Sequence, residues 1–468
     1  MTEGLMITIF LCLFFGTLLF AGLPIAGAIL LATCSIPLLV GSGTLSFTAI
    51  AKEAVIGAVG NNVGLTIVLF MIAGDFMAKG KLTEKIFDTF AYFFGKKRGF
   101  MPIISILTCM FYGAISGSGP ATTAAVGAMC YPLLVNLGYE KFFSAAILVA
   151  AGCLGMVIPP SVPLTGAAML AGGGGLELTP LYKIAAVNGV VAGGLIIFFA
   201  YIHCVRTHDG DQAKINASVD ELRKRSFGEV LRESIWALLT PILILGTIFS
   251  GIADTAQAAA ISLVYAILVS VFIYKTIKIN EVIPMLSLGA MKSAGLCFLI
   301  ALSRVFSAGM TALDIPKKMA AALVSWGLSG TALIILILCL MLLLGAFMDC
   351  GAAMMILVPL FAPIIVKFGL DPYTAVTSII MCQAVGLCSP LCGLCIIVMC
   401  PQVGCTIAQL GRHVIKYSVL IVLVAMLSVI YPHVFGFATD GARIPKYETE
   451  QSMTQQVESV KVASVITK

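Results

Sequence analysis

The sequence predicts an all-α polytopic membrane protein with two inverted-topology repeats, each containing a re-entrant helical hairpin and a Pro-broken helix. The first observation is composition: of 468 residues, 60% are hydrophobic and 11% charged, too few polar residues to cover a soluble surface. The second is the length of the apolar runs. Residues 5–23, 235–251 and 414–431 each approach the roughly 20 residues that span a bilayer as a helix. The third is an internal repeat of Gly and Pro.

The repeat relates residues 132–161 to residues 363–392 at one constant offset. Identities at that offset include Pro132 with Pro363, Gly138 with Gly369, Gly155 with Gly386, and Pro159 with Pro390. With the offset longer by one residue, the preceding segments pair Gly113 with Gly345 and Gly119 with Gly351. Matched Gly and Pro positions at two hairpin-like places indicate an internal duplication, because these residues mark turns and helix breaks.

Each half then has the same order of elements: three helices, an amphipathic arm with apolar residues at helical spacing, a hairpin, a broken helix and a last helix. The predicted boundaries are a first repeat over residues 1–205 (arm 81–98, hairpin 100–136, broken helix 142–171, last helix 183–205), a cytoplasmic basic loop over 206–232, a second repeat over 233–437 (hairpin 329–367, broken helix 372–401) and a disordered polar tail over 438–468.

Charge predicts the orientation. Each half makes an odd number of net crossings, so the two copies are predicted to be inverted. Lysine and arginine cluster at residues 79–98 and fill the loop at residues 206–232, so both segments are predicted to be cytoplasmic and the N-terminus to lie outside. The net charge of +6 is modest and lies in loops, which favours a lipid bilayer over nucleic acid as a partner.

Two interrupted stretches in each half predict a central binding site. Irregular backbone at membrane depth is tolerated only where protein or a water-filled cavity satisfies it, and paired interruptions in inverted halves indicate a transporter's site. The predicted hairpin tips are residues 116–123 and 348–351, and the breaks are residues 158–163 and 388–392. Carbonyl oxygens released by proline suit Na+, and helix N-termini suit an anion. The alternative is that the prolines only kink packed helices.

Three charged residues lie within or beside the apolar runs. Asp349 is a candidate ion ligand or proton carrier, because a carboxylate is costly inside a membrane; the alternative is a cap for the hairpin turn. Asp75 lies beside a lysine-rich end and is predicted to be interfacial. Arg304 is a candidate contact for an anionic substrate, or a structural residue that reaches the interface or pairs with Asp314.

Sequence motifs typical of enzymes occur here only in surroundings that do not support an enzymatic site. Cys388, Cys392 and Cys395 have the spacing of an iron–sulfur motif, but an apolar, Pro-broken segment surrounds them. Most of the fifteen cysteines lie in apolar segments and are predicted to be buried hydrophobes. We therefore expect a protein that is not an enzyme and holds no covalent cofactor. A membrane-embedded redox enzyme stays open as the alternative of a different class.

Four segments carry a family resemblance: FYGAISGSGPATTAAVGAMCYPLLVNLGY, LGMVIPPSVPLTG, FMIAGDFM and LLLGAFMDCGAAMMILVPLFAPIIVKFGLDP. Together they resemble the large permease subunit of tripartite ATP-independent periplasmic (TRAP) transporters of the dicarboxylate, DctM-like type. The resemblance implies a Na+-coupled, elevator-type transporter of the ion-transporter superfamily in the bacterial inner membrane. It also implies two partners, a small four-helix membrane subunit and an extracytoplasmic solute-binding protein. The substrates implied are small organic anions such as C4-dicarboxylates or sialic acid.

Carried over by motif, the resemblance also implies the residues of the Na+ and substrate sites. They are Ser116, Gly117, Ser118, Gly119, Thr122, Thr123, Pro159, Pro160, Ser161, Met348, Asp349, Cys350, Gly351, Gly386, Ser389 and Pro390. The sequence departs from the family at SPLC, residues 389–392, where the family usually has two adjacent prolines. The alternative within the same class is a stand-alone, ion-coupled carboxylate symporter or antiporter that needs no binding protein.

Overall fold

The computed structural model describes residues 9, 12–13, 25–40, 46–59, 62–97, 99–171, 176–325, 329–346, 350–390 and 393–431. Within these ranges the secondary structure is helical, with turns and short connections between the helices. The predicted tail over residues 438–468 lies outside the described residues. So do Met348 and Asp349 of the second predicted hairpin tip.

The described helices of the first half lie between residues 25 and 207. In chain order they are α1 (Ile25–Val40), α2 (Phe47–Val59), α3 (Asn62–Lys79), α4 (Leu82–Phe94), α5 (Phe100–Ser116), α6 (Gly119–Asn136), α7 (Lys141–Cys153), α8 (Val162–Leu170) and α9 (Leu178–Thr207). A 3-10 turn over Leu154–Met156 follows α7 directly.

The remaining helices begin in the predicted basic loop. They are α10 (Gln212–Leu222), α11 (Phe227–Phe249), α12 (Thr255–Leu268), α13 (Ile279–Ala312), α14 (Ile315–Ser325), α15 (Gly330–Gly345), α16 (Cys350–Lys367), α17 (Pro372–Gly386), α18 (Leu394–Val403) and α19 (Ile407–Ile430). A π-helical turn over Val269–Ile273 extends α12.

Four of the described helices are long and apolar enough to cross a membrane: α9, α11, α12 with its π-helical turn, and α19. The helices of the predicted hairpins are shorter. With 17 residues in α5 and 16 in α15, at 1.5 Å per residue each is about 25 Å long. A hydrocarbon core is about 30 Å thick. Their length therefore suits re-entrant helices, while re-entry itself remains a prediction.

The two halves share a close contact between glycines. A Cβ placed on Gly113 of α5 would lie 2.5 Å from the Cα of Gly155, in the turn after α7. In the second half, a Cβ on Gly386 at the end of α17 would lie 2.5 Å from the Cα of Gly345 in α15. These are the same four glycines that the sequence repeat pairs. The shared contact supports the duplication, and the inversion of the copies remains a prediction.

The core of the amphipathic arm is α4. The predicted basic loop is not irregular throughout, because it contains helix α10, which contacts the arm. Lys96, just past the arm, pairs with Asp220 of α10 at 2.5 Å between Nζ and Oδ1. The Arg223 guanidinium donates to the carbonyl oxygen of Tyr92 in the arm, with Nη2 at 2.9 Å. The basic loop is therefore joined to the arm of the first half by an ion pair and a hydrogen bond.

Replacing Gly113 with alanine tests the glycine contact. We expect Gly113→Ala to lower the free energy of unfolding by about 1–3 kcal/mol, because the methyl group meets backbone that cannot move aside. Gly194 of α9 has no atom within 4 Å of an added Cβ, so Gly194→Ala is the matched control and should leave the melting temperature of the detergent-purified protein unchanged or slightly higher. Equal melting temperatures for the two variants would contradict the contact.

Candidate functional site

The first hairpin tip lies between α5 and α6. Gly117 ends α5 in the left-handed conformation, with φ +62°, and its N–H donates to the carbonyl oxygen of Gly113 at 2.9 Å. A Cβ at Gly117 would lie 3.0 Å from the carbonyl oxygen of Pro160. Glycine is therefore required twice, for the backbone turn and for the close approach of the tip to the first helix break.

A pair of hydroxyl groups holds the tip together. The Thr122 hydroxyl donates to the carbonyl oxygen of Ser118 at 2.7 Å and lies 2.9 Å from the Oγ of Ser116. Thr123 points the other way, towards α7. A Cβ at Gly152 would lie 2.1 Å from the Thr123 Oγ1, and this buried oxygen has no hydrogen-bond partner among the described residues.

The first break separates α7 from α8. The Ser161 hydroxyl donates to the carbonyl oxygen of Met156 at 2.5 Å and accepts from the N–H of Leu164 at 3.5 Å. It thus caps α8 and satisfies a carbonyl group released by the break. The peptide bond between Pro159 and Pro160 is cis. Ser161 therefore has a structural role in this geometry.

The second break follows α17. Its turn is closed by backbone bonds from Cys388 to Val385 at 2.8 Å and from Ser389 to Gly386 at 2.9 Å. The Ser389 Oγ is buried and, within the described part of the chain, has no hydrogen-bond partner. The two breaks thus differ, because a serine hydroxyl caps a helix in the first and is unsatisfied in the second.

A cavity of about 180 Å³ lies against the first hairpin tip. The starts of three helices line it: Gly117 and Ser118 before α6, Val162 and Pro163 of α8, and Gly351 of α16. Each helix N-terminus carries a partial positive charge, although at α8 Pro163 has no N–H and the Leu164 N–H is bonded to Ser161. Their convergence makes the cavity suited to an anion or to the carboxylate end of a larger molecule.

The opposite wall belongs to α3. A Cβ at Gly74 would lie 3.4 Å from the Cα of Ser116, so glycine lets α3 approach the tip closely. Asp75 and Tyr112 also line the cavity. The Asp75 carboxylate pairs with Lys292 of α13 at 3.0 Å between Oδ2 and Nζ. The interfacial position predicted for Asp75 overlooked this cavity.

The structure brings together only part of the predicted residue set. Ser116, Gly117, Ser118 and Gly351 line the cavity. The others that the structure describes lie around it or at the second break and do not line it: Gly119, Thr122, Thr123, Pro159, Pro160, Ser161, Cys350, Gly386, Ser389 and Pro390. Arg304 is half-buried on α13 and is likewise not a lining residue.

The two described cysteines of the C-x3-C-x2-C motif are packing residues. Cys388 and Cys395 are 1% and 0% exposed, and the Cys388 Sγ lies 3.6 Å from the carbonyl oxygen of Val149. Cys392 lies outside the described residues. Buried thiols of this kind behave as small apolar side chains.

The helices and the cavity define an all-α polytopic membrane protein with an internal site at helix breaks. The crystal structure of the YdaH transporter of Alcanivorax borkumensis has a similar fold, with a TM-score of 0.63 at 16% identity over 88% of this chain and 97% of that chain. The family model of the tripartite ATP-independent periplasmic transporter, DctM component, matches residues 11–434. The chain therefore belongs to this family, and the resemblance seen in the four segments is confirmed.

Individual relatives of known name are also TRAP transporter permease proteins. The isethionate TRAP transporter permease protein DctMQ of Oleidesulfovibrio alaskensis is 29% identical over 419 residues, which are 90% of this chain and 64% of that protein. The chain thus spans less than two thirds of the length of this relative. The C4-dicarboxylate TRAP transporter large permease protein DctM of Pseudomonas aeruginosa is 29% identical over 367 residues, 78% of this chain and 83% of that protein.

Thr122 tests the construction of the tip. We expect Thr122→Val to destabilise the protein by about 1 kcal/mol, because Ser116 loses a partner while the Ser118 carbonyl still accepts from the Thr122 N–H. Thr122→Ser keeps the hydroxyl and serves as the control. The measurement is thermal unfolding in detergent. Equal stability of the valine and serine variants would show that the hydroxyl pair does not stabilise the tip.

Proposed function

We propose that this protein is the large permease subunit of a TRAP system and carries a small organic anion into the cell together with Na+. The main support is the cavity at the first hairpin tip, where three helix N-termini lie beside Ser116. Helix dipoles that converge on one small cavity favour an anion without a fixed positive charge. Such a site can bind and release its ligand during transport.

The cation is assigned to oxygens behind the tip and at the second break. Thr123 Oγ1 and Ser389 Oγ are both buried, and neither has a partner within the described residues. An unsatisfied buried hydroxyl costs about 1–3 kcal/mol, which a bound cation offsets. Oxygen donors of this kind suit a hard cation. Asp349, two residues before Gly351 in the sequence, remains the proposed charged ligand, with a proton as the alternative coupling ion.

The substrate class follows from the site and from the relatives. The relatives are named for isethionate, which is a sulfonate, and for C4-dicarboxylates. Both chemistries present a compact anionic group with several acceptor oxygens. We therefore assign the cavity to a small organic anion, a class that includes carboxylates and sulfonates.

The partners are a small four-helix membrane subunit and an extracytoplasmic solute-binding protein, and the location is the inner membrane with the N-terminus outside. In the proposed elevator motion, the hairpins and broken helices carry the site past α3, α12 and α13. The support for this division is that α3 packs on α12 and α13 and faces the first hairpin tip across the cavity.

Reconstitution into liposomes tests the proposal. The chain and its co-encoded small subunit would be reconstituted together, with the binding protein outside and radiolabelled succinate or isethionate as the probe. We expect accumulation driven by an inward Na+ gradient and lost with choline in its place. Uptake without the binding protein would favour the stand-alone carrier. An absence of uptake for both anions, in a preparation that is folded, would contradict the proposed function.

The cation assignment is tested by removing the two unsatisfied hydroxyls. We expect Thr123→Val and Ser389→Ala each to raise the half-saturating Na+ concentration by about tenfold, because each removes one oxygen ligand of a charged group. Ser262 of α12 is also buried with an unsatisfied hydroxyl, so Ser262→Ala is the matched control and should leave it unchanged. The measurement is the initial uptake rate against Na+ concentration. If Ser262→Ala raises the half-saturating Na+ concentration as much as the other two variants, the increase reflects a general loss of packing, and the cation assignment is contradicted.

A further inference from the structure

Two ion pairs join α3 to α13, and they differ in their relation to the cavity. Lys292 pairs with Asp75 at 3.0 Å, and Lys79 pairs with Glu281 at 2.5 Å. The side-chain exposures are nearly equal, 50% and 37% for the first pair and 50% and 38% for the second. Only the first pair contributes a lining residue to the cavity, Asp75.

Packing between the two helices holds the first pair in place. A Cβ at Gly289 would lie 2.7 Å from the Cγ1 of Ile72. Ile72 and Gly289 each precede a member of the pair by three residues, so the helix contact lies one turn from Asp75 and Lys292. The close contact between α3 and α13 therefore positions Lys292 beside Asp75.

The charge of Asp75 conflicts with the rest of the cavity. Among the described lining residues, Asp75 carries the one charged side chain, and the three helix N-termini supply partial positive charges of about 0.5 each. A free carboxylate would cancel much of that potential and repel an anion. Paired with Lys292, the Asp75 carboxylate adds no net negative charge to the wall.

We infer that Lys292 is the counter-ion of Asp75 and thereby determines the charge selectivity of the cavity. With Lys292 present, the helix N-termini favour an anion. Without it, the exposed carboxylate favours a cation. Lys292 is a positioning residue for the field of the cavity and need not touch the ligand. The inference rests on the proposed function in one respect, that the transported ligand is an anion.

The test measures the electrostatic potential of the cavity directly, without transport. Ala121 lines the cavity and is exposed, so Ala121→Cys introduces a reporter thiol. Its reaction rates with an anionic and a cationic methanethiosulfonate reagent are compared in the purified protein, after subtraction of the rates of the protein without the reporter. The ratio of the two rates reports the sign of the local charge.

We expect Lys292→Gln to lower the ratio of the anionic to the cationic rate by about tenfold, and Asp75→Asn alone to raise it by a similar factor. The double variant should return the ratio to within about twofold of the parent, because both charges are gone. Lys79→Gln, which breaks the second pair, is the matched control and should change the ratio by less than about twofold. Equal effects of the Lys79 and Lys292 variants, or no effect of either Asp75 or Lys292, would overturn the inference.

A second measurement separates this inference from the proposed function. In the liposome system with succinate as the probe, Lys292→Gln should raise KM about tenfold, and the added Asp75→Asn should restore it. If the parent protein takes up no anion but the reagent ratios shift and recover as expected, the counter-ion role stands and the proposed function fails. If uptake is normal and the ratios do not move, the inference fails alone.

Discussion

The structure depends on satisfying backbone groups where helices break within apolar surroundings. In a bilayer, an N–H or C=O group without a partner costs several kcal/mol, so every break needs an internal solution. At the first break, Ser161 supplies it by bonding to the Met156 carbonyl oxygen and capping α8. At the first tip, Gly117 turns the chain and bonds back to Gly113. The starts of α6 and α8 and Gly351 of α16 line the cavity beside these breaks. The candidate site therefore lies where the helices are interrupted.

Close helix contacts make these breaks tolerable. The glycine pair of Gly113 and Gly155 brings α5 against the end of α7, and Gly345 with Gly386 does the same for α15 and α17. Without side chains between them, these backbones lie in close contact beside the breaks. The glycines therefore act on the candidate site indirectly, by letting the helices that carry it pack closely.

Sequence patterns predicted much of this fold because Gly and Pro mark helix ends locally. The helix pair over residues 100–136 and the break near residues 158–161 follow from such signals, and the structure has helices ending there. The position of Asp75 could not be predicted in this way. Its place in the cavity depends on Gly74 letting α3 approach Ser116, which is a tertiary contact. A usable signal existed, because a carboxylate in one apolar helix and Lys292 in another are both costly unless paired. Helix α10 was missed although Ile215, Val219 and Leu222 recur at helical spacing, because the rest of this segment is polar and charged.

The arrangement of charge also bears on why no arginine lines the described cavity. A guanidinium in a small, partly dehydrated space would bind an anion through two charge-assisted hydrogen bonds, and release would then be slow. Helix N-termini offer about half a charge each, spread over several N–H groups, so that the attraction is shared and each contact is weak. A carrier needs a ligand to leave as readily as it enters. On this physical ground, Arg304, which is not among the lining residues of the cavity, is not needed for anion binding there, and its role as a substrate contact stays a prediction.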